Sequence, residues 1–163
     1  MRVSTVDTWL GPFTVLIDDD DAVLAAGWTA DADVLTPLVH PRLRTGDPKR
    51  HKDLGEVTKA VRAYHDGDLR APDAIVVRQH SGGEFLPAAW QVLRAVAPGS
   101  PVTYTELAER TGSPTASRAA ASACARNAAA LFVPCHRVIR TDGTMGGFRW
   151  GIEIKRRLLA HEQ

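Results

Sequence analysis

A thiol beside an imidazole is the pairing in this chain best suited to make a nucleophile. Cys135 and His136 are adjacent within Val133-Pro134-Cys135-His136-Arg137-Val138. A cysteine reacts as its thiolate, and a neighbouring histidine can take the proton. Yet adjacent side chains on a strand point apart, and most solitary cysteines are small buried hydrophobes, so the dipeptide alone leaves both readings open. Cys124, the only other cysteine, has no acid–base partner in sequence and reads as packing. His40, His51, His65 and His80 lack a regular ligand spacing; they read as surface histidines, and no metal site is expected. The run Asp18-Asp19-Asp20-Asp21 has no calcium-loop spacing and reads as a solvated hairpin loop.

The elements before Cys135 must position it. Phe85 to Val96 places Phe85, Ala89, Val92, Leu93 and Val96 on one helical face, with Trp90 at its edge, and Pro98-Gly99-Ser100-Pro101 stops it. Thr103 or Thr105 can cap a short helix ending at Gly112. A second helix runs from about Thr115 to Arg126. Helix, glycine-containing turn and helix make a helix-turn-helix pattern. The second helix surrounds Arg118 with Ala116, Ser117, Ala119, Ala120, Ala121, Ser122, Ala123 and Ala125. A major-groove reader would carry Arg, Asn or Gln toward base edges. A smooth helix with one arginine suits a narrower groove, with the arginine free to enter the base stack. A buried alanine-rich helix explains the same composition equally well.

The first half supports rather than reacts. Residues 2–7, 12–17 and 22–28 read as a three-stranded antiparallel meander, and residues 36–50, with Pro37, Pro41, Gly46 and Pro48, as loop. Leu54, Val57, Val61 and Tyr64 mark an amphipathic helix closed by Gly67; Ala74 to Val77 reads as a short extended segment. Ser81-Gly82-Gly83 separates an expected domain 1–80 from a second, 81–163. Residues 1–80 hold 10 basic and 13 acidic side chains, and residues 81–163 hold 10 and 6. The basic second half fits a polyanion partner, or ordinary solvated charge. Hydrophobic residues make up 44% and charged residues 24%, the balance of a globular protein with no membrane span. Two cysteines, with no signal peptide at Met1-Arg2-Val3-Ser4, point to the cytoplasm.

Taken together, Pro134-Cys135-His136-Arg137-Val138, with Asn127, Arg118 and Val102-Thr103-Tyr104 before it, resembles the O6-alkylguanine-DNA alkyltransferases, or methylated-DNA–protein-cysteine methyltransferases. Gly143-Thr144-Met145-Gly146-Gly147-Phe148-Arg149-Trp150-Gly151 and the closing Lys155, Leu158-Leu159-Ala160-His161-Glu162 fit the same family, and the tryptophan-bearing loop is similar to the C-terminal domain of Ada-type proteins. The resemblance is strong over residues 81–163 and limited to layout over 1–80. It implies an α/β (α+β) fold: an RNase H-like three-stranded antiparallel sheet with helices, then a mostly helical domain with a winged helix-turn-helix. It implies a monomer that binds double-stranded DNA in the minor groove. The protein would flip out an O6-alkylguanine, with O4-methylthymine as a further substrate, and move the alkyl group irreversibly to Cys135 without a cofactor. His136 would take the thiol proton through water, Glu162 would orient His136, Tyr104 would protonate the leaving guanine, and Asn127 would fix the turn before the active-site loop. Arg118 would fill the vacated stack while Ala116, Ser117 and Ala119 lie in the groove. Carbonyls of Cys135 and Val138 and N–H groups near Arg149 would hold the base, walled by Phe148, Trp150 and Cys124.

The chain departs from the family pattern at several positions. Ala128 follows Asn127 where proline is usual, which loosens that turn; Ala121 and Phe148 stand for a common glycine and tyrosine. Trp150 replaces a common glycine and should narrow the pocket against bulky alkyl groups and free benzylguanine. Two cysteines cannot supply the four-cysteine zinc domain of full Ada proteins, which sets aside the phosphotriester-sensing regulator. A damage-binding module without transfer would lack the nucleophile that Cys135 supplies. A thiol hydrolase would leave the Arg118 helix idle, and a plain helix-turn-helix regulator would leave Cys135-His136-Arg137 idle.

Overall fold

The computed structural model describes residues 1–163. Two units emerge: Met1–His80 with Ala128–Phe132, and Ser81–Asn127 with Val133–Gln163. In the first, β1 (Arg2–Thr8), β2 (Gly11–Ile17) and β3 (Val23–Gly27) form the antiparallel meander, with Val3 opposite Leu16 and Val6 opposite Phe13. Residues 13–17 of β2 are all buried, as expected of a central strand covered on both faces. The aspartate loop joining β2 to β3 is solvated but organised: Asp18 Oδ1 accepts from the N–H groups of Asp20 and Ala22, and Arg78 bridges Asp18 and Asp20.

Residues 36–50 are less featureless than their composition suggests. After α1 (Ala32–Leu35), capped by Asp31, come two single 3-10 turns, and then β4 (Lys49–Arg50) joins β1 in parallel. The sheet therefore has four strands, in the order β3-β2-β1-β4. Two basic residues carry no alternating pattern, so β4 leaves no trace in sequence. Val57, Val61 and Tyr64 of the amphipathic stripe are buried along α2 (Glu56–His65), with Leu54 buried just before it, and Gly67 turns the chain after the helix at φ +114°. Ala74 to Val77 makes a single parallel bridge, Val77 to Val23, rather than a strand.

His65 is not a surface residue. It is 5% exposed; Nδ1 contacts the Val61 carbonyl at 2.7 Å, and Nε2 accepts from the Trp28 indole at 3.3 Å. That pairing is the form a buried neutral imidazole takes, with one donor and one acceptor. The excursion Ala128–Phe132 pairs with β3, where the Ala26 N–H donates to the Ala128 carbonyl at 2.8 Å. The Ala128 N–H donates to Gln79 Oε1 at 2.9 Å. The residue after Asn127 is thus anchored by a bond a proline could not make, rather than loosened.

In the second unit, α3 (Phe85–Arg94) packs against α4 (Tyr104–Arg110) and α5 (Ser117–Ala125). Trp90 lies deeper than the edge of its helix face: it is 5% exposed, and its indole donates to the Ala123 carbonyl at 2.9 Å, which Ala123 permits by adding no bulk. Thr103 is the N-cap of α4, in a reciprocal capping box with Glu106, and Gly112 turns the chain at φ +90°. The alanine-rich helix has one buried face and one exposed face. Ala120 and Ala123 are buried, whereas Ser117, Arg118, Ala121 and Ala125 are exposed. β5 (Val102–Thr103) pairs in parallel with β6 (Val138–Ile139), and α6 (Ile152–His161) closes the chain.

Candidate active site

Cys135, His136 and Arg137 form one 3-10 turn between Pro134 and β6. The turn separates their side chains. Cys135, 8% exposed, lines a cavity of about 760 Å3 together with Tyr104, Arg118, Cys124, Asn127, Phe148, Arg149 and Trp150. His136 and Arg137 turn away from it toward Glu162, the C-cap of α6. His136 Nε2 lies 2.8 Å from Glu162 Oε2. Arg137 donates from Nε to Oε1 and from Nη2 to Oε2, both at 2.9 Å, and from Nη1 to the Val96 carbonyl at 2.8 Å. All three side chains are buried.

The electrostatics follow from that burial. Burial pushes Glu162 up, but hydrogen bonds and charge from His136 and Arg137 outweigh it, so the carboxyl ends well below its ordinary range and is ionised. Burial lowers His136 against the opposing pull of Glu162, so the imidazole is neutral. An ionised Glu162 beside Nε2 places the ring proton there. The lone pair then sits on Nδ1, which is buried and bonds no protein atom. Burial also raises Cys135, against a hydrogen bond from Asn127 and the charges of Lys155 and Arg149. The resting pair is therefore a thiol and a neutral base, not an ion pair.

Asn127 clasps the turn from the other side. Its Nδ2 donates to the Val133 carbonyl at 2.8 Å and to Cys135 Sγ at 3.2 Å. Tyr104, the first residue of α4, has its phenol pushed up to about 12, chiefly by burial. It stays protonated at neutral pH and can donate. Gly146 makes room for it: a Cβ there would lie 2.7 Å from Tyr104 Oη. Cys124 also faces the cavity, and burial holds its thiol protonated.

Arg118 and Ser117 stand exposed at the cavity's edge in the first turn of α5; Ala116 is the N-cap, and Ala119 is half-buried outside the lining. Arg149 Nη2 donates to the Ala125 carbonyl at 2.7 Å, tying the glycine-rich loop to α5. Val138 does not line the cavity; it is buried opposite Val102, and its carbonyl accepts from Lys155 Nζ at 2.7 Å.

Sequence reasoning gave no role to Arg137 or Lys155, although both are buried and both hold the site together. The available signal was the spacing Lys155, Leu158, Glu162. It puts two charged residues on the core-facing stripe of α6 beside Leu158, and all three are buried. No group of three or more His, Cys, Asp or Glu side chains is placed to hold a metal ion.

A helix-turn-helix unit with a buried cysteine lining its cavity, next in sequence to a carboxylate-bound histidine, defines a nucleic-acid-binding type of fold. Comparison with known proteins narrows that class. Residues 84–163 match the family model described as "6-O-methylguanine DNA methyltransferase, DNA binding domain". The methylated-DNA–protein-cysteine methyltransferase of Shigella flexneri is 32% identical over 159 residues, covering 96% of this chain and 92% of that protein. This chain belongs to that family. The regulatory protein ada of Salmonella typhimurium is 48% identical over 145 residues, and the chain spans 37% of its length and 23% of that of the Escherichia coli Ada protein. Among solved structures, Mycobacterium tuberculosis OGT in complex with DNA superimposes with a TM-score of 0.81 at 26% identity, over 99% of this chain and 92% of that one. The α/β (α+β) fold expected from sequence is the fold of these structures.

Proposed function

We propose that this protein repairs alkylated DNA by moving the alkyl group of O6-methylguanine to Cys135, once per molecule. The observation that carries the reading is the arrangement of Cys135 at the cavity, clasped by Asn127, with His136 held by Glu162 and Arg137 behind it. The lesion oxygen points into the duplex, so the nucleotide must leave the stack to reach the thiol. Arg118, exposed at the cavity edge, fills the gap, while the small residues Ala116, Ser117 and Ala119 let the helix approach the minor groove. His136 Nδ1 takes the thiol proton through water, and Glu162 stabilises the imidazolium that forms. The thiolate attacks the alkyl carbon: the S–C bond forms as the C–O bond breaks. Tyr104 donates a proton as charge develops on the leaving base. The thiol's proton is finally replaced by the alkyl group, and the guanine gains the proton. Phe148, Trp150 and Cys124 wall the base, and Val138 supports the site through Lys155.

The acid–base groups all lie on one chain, which supports a monomer. No helix is long and apolar enough to cross a membrane. The need for a reduced Cys135 supports a cytoplasmic setting. The test is to incubate the protein with duplex DNA carrying O6-methylguanine and to measure restored guanine. One equivalent per protein molecule, and none with Cys135→Ala despite retained DNA binding, is the expected result. Restoration by Cys135→Ala, or several equivalents per molecule, would overturn the reading.

A further inference from the structure

We infer that Gly99 is a positioning residue for the base of this reaction, acting through the backbone of Glu162. Glu162 is the C-cap of α6, and a helix end ordinarily frays. Yet its carboxylate must hold His136 in one orientation, so something must fix its main chain. The turn after α3 does this from two sides. The Val96 carbonyl accepts from Arg137 Nη1, which steadies the guanidinium that grips both carboxylate oxygens. Three residues later, Gly99 lies directly against the main chain of Glu162: a Cβ on Gly99 would fall 2.9 Å from the Glu162 carbonyl oxygen and 4.0 Å from its carbon. That first distance is inside ordinary contact, and the opposing atom is backbone, so either the turn or the end of α6 would have to move. Gly99 has φ +78°, so glycine also meets the conformational demand of the turn. In a chain with a side chain at 99, movement of α6 shifts the carboxylate that fixes the proton on His136 Nε2 directly, and movement of the turn shifts it through the Val96 carbonyl and Arg137.

The inference rests on the proposal that Glu162 and His136 activate Cys135, and it has a readout that does not require transfer. Gly99→Ala is compared with Gly46→Ala. Gly46 lies in the other unit at φ +83°, with nothing within 4 Å of its Cβ position, and so carries the same backbone strain without the contact. Gly99→Asn is the second variant, because asparagine tolerates this conformation better than alanine while still placing a Cβ against Glu162. Single-turnover transfer is followed across pH. The ring N–H proton of His136 is followed by NMR, assigned with His136→Gln.

Losing general-base assistance altogether costs on the order of 10²–10⁴-fold, so misplacing the carboxylate should slow transfer by about tenfold or more at neutral pH. The deficit should narrow as rising pH ionises the thiol directly. The His136 N–H resonance should shift or broaden in both Gly99 variants and stay in place in Gly46→Ala. Gly99→Ala and Gly99→Asn matching Gly46→Ala in both rate and resonance would overturn the inference. An unreactive wild-type protein would sink the transfer proposal instead, leaving the resonance to decide the role of Gly99.

Discussion

Replacing Glu162 by glutamine tests the site's buried charge balance without changing its shape. The carboxylate receives three hydrogen bonds: His136 Nε2 and Arg137 Nη2 meet at Oε2, and Arg137 Nε reaches Oε1. In Glu162→Gln the amide oxygen can keep the pair at Oε2. The NH2 group then faces the N–H of Arg137 Nε, donor against donor. Arg137 is 3% exposed and keeps a bond to the Val96 carbonyl, but its positive charge loses Glu162 as its counter-ion. Removing one partner of a buried ion pair costs roughly 3–5 kcal/mol. Because glutamine preserves volume and two of the three contacts, about 3 kcal/mol is expected. At about 2–4 °C per kcal/mol for a chain of this size, the melting point should fall by about 6–12 °C. The transfer rate should fall by about 10²-fold, because His136 loses the charge that favours its protonated form. Urea unfolding gives the first quantity and rapid-quench single-turnover kinetics the second. A variant within 0.5 kcal/mol of wild type (about the scatter of neutral surface changes) and within twofold in rate would refute the charge balance described for this site.

Further outcomes follow from the same geometry. Asn127→Ala leaves the buried Val133 carbonyl without its Nδ2 donor and removes the bond that lowers Cys135; stability should drop by about 1–3 kcal/mol and transfer should slow, as read by urea unfolding and single-turnover assay. Trp150→Gly should enlarge the cavity and raise the rate on O6-benzylguanine more than on O6-methylguanine, as measured by competition between the two substrates. Because the folded-state value of Glu162 is depressed, its stabilisation should be whole above the ordinary carboxylate value of 4.5 and be lost as pH falls toward the folded value; the stability gap between wild type and Glu162→Gln should close in acid. His136 is likewise depressed, so the unfolded chain protonates first as pH falls through 6.5, and stability should decline from that point downward.

Much of this molecule was legible in its sequence because its pattern is local. The meander strands alternate or run apolar between turn signals, α2 shows its stripe, and Thr103 is one of the two cap candidates the sequence offers for α4. Cys135, His136, Asn127 and Tyr104 were found through motif and order, and the fold brings Cys135, Asn127 and Tyr104 to one cavity. What escaped depends on tertiary partners. β4 is two basic residues recruited by the edge of β1, and His65 is buried because Trp28 and the Val61 carbonyl satisfy both ring nitrogens. The Ala128 N–H finds Gln79, 49 residues away, and Gly99 matters because of a backbone atom 63 positions on. None of these contacts has a signature within a helical or strand period.

The most direct test is the intact mass of the protein after incubation with duplex DNA containing O6-methylguanine, followed by peptide mapping. The account predicts the addition of a single methyl group, on Cys135 and not on Cys124, with no second addition at excess substrate. An unchanged mass despite tight binding to that duplex, or a methyl group on any other residue, would contradict it.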